Sequence, residues 1–217
     1  MSIKRVFLLL VLLFFSTKAS SLKILASEID TNIKKAYNGL KSFSVNIVIN
    51  IVDDQYKYFL AQDKNNVYIE WKGVNNSTSI KEEDIPVIPL NIKMYTTPYD
   101  FWRSLGIDIN KISYDYVNHV PCLVIGGDKN RIFIDIEHFS IRKIEINNVS
   151  YLFDDFMYIG NYYLPHKIEI VCSDSLIKGD IEWSGINQSI EKIHEIRGSN
   201  FPETLIYCFP RFSEFFR

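Results

Sequence analysis

Residues Tyr162–Asn187 read YYLPHKIEIVCSDSLIKGDIEWSGIN. Leu164, His166, Ile168, Ile170 and Cys172 alternate with Pro165, Lys167, Glu169 and Ser173. Past Asp174-Ser175, Ile177, Ile181 and Trp183 stand against Lys178, Asp180 and Glu182. Successive side chains of an extended chain point to opposite faces, so this spacing predicts two strands, each with one buried and one solvated face. The reading extends backwards. Gly160-Asn161 follows a run over Val149–Ile159, and Asn147-Asn148 follows Phe139–Ile146. Gly126-Gly127-Asp128-Lys129-Asn130 joins His119–Gly126 to Arg131–Glu137, with Ile112–Asn118 ahead of both. Gly, Asn and Asp tolerate the positive φ that hairpin turns need. In Arg131–Glu137, Ile132, Ile134 and Ile136 oppose Arg131, Asp135 and Glu137, which places Asp135 on a solvated face. The expected core is an antiparallel meander from Ile112 to Asn187.

Upstream, Ser27–Leu40 has the pattern of an amphipathic helix. Ser27 is its expected cap, Glu28 and Asp30 suit its positive end, and Ile29, Ile33, Ala36, Tyr37 and Leu40 share a face. Phe43, Val45, Ile47, Ile49 and Ile51 then alternate as a strand. Asp53-Asp54 turns it into Gln55–Gln62, and Lys64-Asn65-Asn66 into Val67–Trp71. Gly73–Asp84 is polar and reads as a mobile loop. Ile85–Leu90 is apolar but holds Pro86 and Pro89, which excludes an ordinary helix or central strand. Thr97, as cap, and Pro98 open a short helix whose Tyr99, Phe101, Trp102 and Leu105 present a bulky apolar face. So short a helix with so large a face is expected to lie on the concave side of the sheet. Ile190–Ile196 reads as strand or helix, and Phe201–Arg217 as a sheet-covering segment or a poorly ordered end.

Met1–Ser21 has the three parts of a secretory signal: Lys4 and Arg5, the apolar run Val6–Phe15, and a small-residue exit with cleavage expected after Ala19. Ten apolar residues fall short of the roughly 20 a spanning helix needs. No cysteine follows the run until Cys122, so a lipid-anchoring site is not expected. The remaining chain, 22–217, is expected to be one domain with 201–217 as its irregular tail. Lys and Arg number 24 against 26 Asp and Glu, with no basic run, which argues against nucleic acid and anionic lipid surfaces as partners. In an oxidising compartment one pair among Cys122, Cys172 and Cys208 could bridge and leave one over; buried free thiols are the plainer expectation.

Motifs for chemistry are missing. His119, His138, His166 and His194 are scattered without metal-ligand spacing, so no metal is expected. Asp53-Asp54 and Asp154-Asp155 read as solvated pairs, and nothing sets two carboxylates across a cleft. There is no nucleophile elbow, phosphate loop or dinucleotide fingerprint. No catalytic residue is assigned and no enzyme is expected. What remains is apolar surface on a curved sheet, where burying an acyl chain gains about 0.8 kcal/mol per methylene. The same residues suit an ordinary dry core equally well.

Several stretches resemble the LolA-like superfamily of exported lipoprotein and lipid carriers. They are Tyr37-Asn38-Gly39-Leu40-Lys41-Ser42-Phe43 before a long strand, Asn66-Val67-Tyr68-Ile69-Glu70-Trp71, and the prolyl helix Thr97–Leu105. Tyr116–Gly126, Arg131-Ile132-Phe133-Ile134-Asp135 with Ile141-Arg142-Lys143, and Tyr162-Tyr163-Leu164-Pro165-His166-Lys167-Ile168 complete the set. The resemblance implies a mainly β (α+β) fold, a curved antiparallel sheet forming an open half-barrel under an N-terminal helix and short lid helices. It implies a hydrophobic cavity for acyl chains and no cofactor. It departs at Val67, Tyr68, Ile69 and Glu70, where the family's lipoprotein chaperones carry a lid-holding arginine near the start of the third strand.

The resulting expectation is a periplasmic, monomeric carrier of acyl chains or lipid-modified proteins, handing over to envelope transport proteins. Its cavity is assigned to Val45, Ile47, Ile49, Trp71, Phe101, Trp102, Ile132, Ile134, Leu164, Ile168, Ile170 and Trp183. The rival expectation is an envelope interaction or sensor module that uses a strand edge and takes no lipid.

Overall fold

Hairpin follows hairpin along most of the chain, and the strands assemble in that order. The computed structural model describes residues 24–51, 54–73, 82–173, 175–190, 196–197 and 201–216. The leader, Asp53, most of the Gly73–Asp84 loop and residues 191–195 therefore lie outside the described residues. Helix α1 (Ala26–Ala36) precedes β1 (Ser42–Ile51), β2 (Asp54–Asp63) and β3 (Val67–Lys72). A 3-10 turn at Glu82–Asp84 leads through an irregular segment to α2 (Lys93–Thr96) and α3 (Pro98–Ser104). Then come β4 (Ile112–Val117), β5 (Val120–Gly126), β6 (Arg131–Asp135), β7 (Ile141–Ile146), β8 (Val149–Ile159), β9 (Tyr162–Cys172) and β10 (Ser175–Ile186). A two-residue β11 (Ile196–Arg197), α4 (Glu203–Cys208) and α5 (Phe212–Phe215) complete the set.

The strands form one curved sheet in the order β11-β3-β2-β1-β10-β9-β8-β7-β6-β5-β4. Among the described residues every strand pairing is antiparallel except β11 on β3, and β11 and β4 stand at the two ends of the order. The meander holds as expected because its turns are chemically specified. Asn118 and His119 take φ of 46° and 66°, and Asn147 and Asn148 take 51° and 68°, which suits two-residue hairpin loops. Gly126 sits at φ +119°, where a Cβ would lie 2.3 Å from the Asn130 carbonyl oxygen, so only glycine fits.

The sheet has a weak seam at β9–β10. Their pairing stops at Asp180↔Lys167, three residues short of Leu164. Pro165 has no N–H to offer the ladder, and the indole N–H of Trp183 donates to its carbonyl instead, at 2.7 Å. The end of α1 stitches this opening. Tyr37 donates to the Tyr163 carbonyl (2.6 Å), and Asn187 Nδ2 donates to the Gly39 carbonyl (2.9 Å).

Four local expectations need correction. Asp135 is not solvated but 2% exposed, because β5 and β6 are buried on both faces: Cys122, Val124 and Phe133, with Val117 of β4, form a second cluster opposite the main core. An irregularity in the β6–β7 pairing between Phe133 and Ile134 lets Arg142 reach it, Nη2 to Oδ2 2.8 Å, while Ile136 is left 42% exposed. Cys172 and Cys208 are not free thiols but a disulfide, with Cα atoms 5.3 Å apart; Cys122 is free and buried. The first helix starts at Ala26, ahead of Ser27, with the Glu28 carboxylate accepting from Leu25 N–H, and Ala36 is exposed. Thr97 makes no side-chain cap on α3; Asp30, from α1, does so across space, accepting from Tyr99 N–H at 2.9 Å.

Asp30 also pairs with Lys34 (2.7 Å), so one carboxylate couples the first helix to α3. Asp30→Ala is expected to lower stability by about 1–2 kcal/mol, the usual cost of losing a helix cap. A urea titration reads this as a shifted midpoint; an unmoved midpoint would mean that Tyr99 N–H finds another acceptor.

Candidate functional site

Period-2 strands turn one set of side chains to a common face, and in this sheet that face is covered. Val45, Ile47 and Ile49 of β1, Ile132 and Ile134 of β6, and Leu164, Ile168 and Ile170 of β9 are all at most 1% exposed. Register aligns them in transverse rows. Ile47 stands between Tyr58 and Ile181, Phe153 faces Ile168, Tyr151 faces Ile170, and Ile132 lies between Ile125 and Ile144. Trp71 of β3, with Phe101 and Trp102 of α3, belongs to the same buried cluster, and Trp183 is half-buried against it. The twelve residues assigned from the sequence thus gather on one side of the sheet and its cover.

Three parts make the cover: α1, the run from Ile85 through α3, and the segment from Phe201 to Phe216. The Ile85–Leu90 run is wholly buried without regular structure, as its prolines require. Polar groups tie the cover down. Gln62 of β2 accepts from Ile92 N–H (2.8 Å) and donates to Asn91 Oδ1 (3.1 Å). Asn91 Nδ2 in turn donates to the Phe215 carbonyl (3.1 Å), and the Trp71 indole N–H donates to the Pro86 carbonyl (2.9 Å). Gln62 and Asn91 are 3% and 0% exposed, so this amide pair is a polar clasp within apolar surroundings. It ties the second strand to the cover.

Phe201–Phe216 is the sheet-covering alternative, not a loose end. Phe201 and Phe209 meet Trp71 edge-on at 5.8 and 6.1 Å, and Phe215 meets Phe101 at 5.5 Å. Tyr151 donates to the Cys208 carbonyl (2.9 Å) beside the disulfide. Sequence reasoning missed Gln62, Asn91 and these phenylalanines as parts of the site. The signal for the amides was present, since Gln62 falls on the apolar side of β2 by alternation.

The covered face is electrically quiet. Burial pushes the phenols of Tyr58, Tyr95 and Tyr151 far up, and burial with nearby Tyr95 does the same to Tyr37, so all stay neutral. Of the three indoles, Trp71 and Trp183 each donate to a carbonyl, whereas Trp102 Nε1, fully buried on α3, has no acceptor among the described residues. A buried donor left unpaired costs about 1–3 kcal/mol, so an oxygen arriving there would be held.

On the opposite face, Ser44, Asn46, Phe59, Tyr68, Glu70 and Lys72 line an open groove of about 430 Å³. His119 is exposed on its hairpin, His138 stacks on Tyr163 at 4.2 Å, and His166 lies on β9. Among the described residues no group of three or more His, Cys, Asp or Glu converges as a metal site. Among them, too, no helix is long and apolar enough to cross a membrane.

No family model matches the chain, and no curated protein does. Solved structures do. The chain is similar to LolA superfamily structures. One, from Nitrosomonas europaea, is 12% identical over 84% of this chain and 97% of that one, with a TM-score of 0.47. A domain from Vibrio parahaemolyticus named for outer membrane lipoprotein sorting is 10% identical over 76% and 93%, TM-score 0.42. A DUF1329 family protein from Desulfovibrio piger is 9% identical over 77% and 93%, TM-score 0.42. At these values the likeness does not extend to cargo or partner.

Proposed function

We propose that the protein is an exported, periplasmic carrier that takes acyl chains, free or on lipid-modified proteins, onto the covered face of its sheet. The observation that supports it is the make-up of that face: a continuous apolar wall closed by separately tied segments instead of a second sheet. Such a cover opens by breaking a few side-chain ties and leaves the strand ladder intact. About ten buried methylenes would contribute roughly 8 kcal/mol, enough for micromolar retention. The unpaired Trp102 N–H offers a place for an ester or carboxyl oxygen. By the sequence resemblance, the cargo belongs to outer-membrane lipoprotein sorting, without cofactor or catalysis.

Native mass spectrometry of gently purified protein is expected to show bound lipid, and a fluorescent fatty acid to compete for its site. Protein that is empty and takes up no fatty acid would sink the proposal. A second reading, an envelope interaction module without lipid, draws on edge strand β4, where Tyr114 and Tyr116 are 65% and 71% exposed. That reading expects crosslinks from β4 to a partner and no lipid in the same preparation.

A further inference from the structure

We infer that Phe209–Phe216 is a resident occupant of the acyl site, seated where cargo would lie and pivoting on the Cys172–Cys208 disulfide when cargo displaces it. The inference rests on the carrier reading and adds what fills the site between loads. Place comes first. Phe209 packs edge-on against Trp71 and Phe215 against Phe101, two side chains that the carrier reading assigns to cargo. Both phenylalanines are buried, on the same apolar wall as Ile47 and Ile168.

Attachment comes second. Cys208 is fixed to the end of β9 through Cys172, and Tyr151 donates to its carbonyl, so the segment is anchored at its start. Beyond that anchor, among the described residues, its hydrogen bonds run to the cover. Val87 N–H donates to the Pro210 carbonyl and Phe212 N–H to the Ile85 carbonyl, both at 2.9 Å. Asn91 Nδ2 donates to the Phe215 carbonyl, and the Arg211 guanidinium meets the Asp84 carboxylate at 3.1 Å on the surface. Water can replace each of these partners once the segment lifts, and the sheet ladder is untouched.

Chemistry is the third support. Phenylalanine rings on an apolar wall satisfy it as an acyl chain would, so segment and chain are alternatives for one surface. The full-length protein then binds cargo with its intrinsic affinity reduced by the fraction of molecules whose segment is out.

The test titrates three proteins with a fluorescent fatty acid: the full chain, a chain ending at Cys208 that keeps the disulfide, and full-length Phe209→Ala/Phe215→Ala. The double variant retains the backbone ties and carries the test should the shortened chain fail to fold. Phe133→Ala, which opens space in the second cluster on the opposite face of the sheet, controls for cavity creation. Both segment variants are expected to bind at least about ten-fold more tightly than the full chain, and the Phe133 control not to. In the full chain, saturating fatty acid is expected to speed amide hydrogen exchange over 209–216, where an unconnected site would leave it unchanged. Equal or weaker binding by the segment variants, or unaltered exchange, overturns the inference and leaves the carrier reading standing. No uptake by any of the proteins overturns both.

Discussion

Replacing Arg142 by methionine is expected to cost about 3–5 kcal/mol of stability, the penalty for stranding a buried charge. Asp135 is 2% exposed and Arg142 8%, and the guanidinium reaches the carboxylate through Nε at 3.2 Å and Nη2 at 2.8 Å. The other face of the guanidinium lies 4.1 Å from the centre of the Phe156 ring, and methionine would keep part of that packing. What it cannot keep is the counter-charge. Glu137 and His138 N–H also donate to Asp135, so the acid closes the β6–β7 turn as well as pairing with the base. Asp135→Asn combined with Arg142→Met is expected to recover most of the loss, because the pair removed together leaves nothing stranded.

The pH dependence follows from the same geometry. Burial alone would raise the Asp135 carboxyl, but the Arg142 bond and the His138 and Glu137 N–H groups outweigh it and hold it below the usual carboxylate range. Glu145 is lowered in the same way, against its own burial, by Arg131 and Lys143. A folded-state carboxyl held below its unfolded value stabilises the fold at pH above that unfolded value. The contribution is lost as pH falls through the depressed folded one. The native protein therefore weakens on the acid side, while the Arg142→Met protein loses its disadvantage there as Asp135 takes up a proton. Urea titrations at neutral and acid pH read both effects. A single-variant cost below about 1 kcal/mol at neutral pH would mean that the pair is hydrated as an exposed one is.

Removing the disulfide, as Cys172→Ala/Cys208→Ala, is expected to cost about 4 kcal/mol from the chain entropy of a loop with a sequence separation of 36. In a protein of this size that corresponds to roughly 10 °C in Tm. Cys122 will not complicate the comparison, since burial, with nearby Asp135, pushes its thiol up to about 11 and keeps it protonated and unreactive. Melting the native chain with and without a dithiol reductant gives the same comparison without mutation. Identical midpoints would show that packing and the Tyr151 hydrogen bond hold α4 without help from the bridge.

The two effects differ in how far the sequence announces them. Asp135 falls on the polar side of β6 by alternation, so period alone sends it to solvent. Its burial needs the second apolar cluster around Phe133 and the irregular β6–β7 register that delivers Arg142, neither of which is a local property. Cys172 was readable as an inward residue of β9, but its partner depends on the path of a tail whose phenylalanines suit a packed or a loose end alike. The cap on α3 shows the same limit: Thr97-Pro98 marks the start of the helix, while the capping oxygen comes from Asp30, 69 residues before the Tyr99 N–H that it accepts from.

By itself the sequence determined the hairpins and which side chains each strand turns inward, because pleat period and turn φ depend only on neighbours along the chain. Trp71, Phe101 and the isoleucines of β1, β6 and β9 were therefore legible as one apolar set. Only the tertiary structure decided what lies over them: the Gln62–Asn91 clasp, the Phe201–Phe216 segment and its disulfide. Those contacts join residues from 29 positions apart (Gln62 to Asn91) to 138 (Trp71 to Phe209), and non-directional apolar attraction does not choose among such partners until the whole chain has closed.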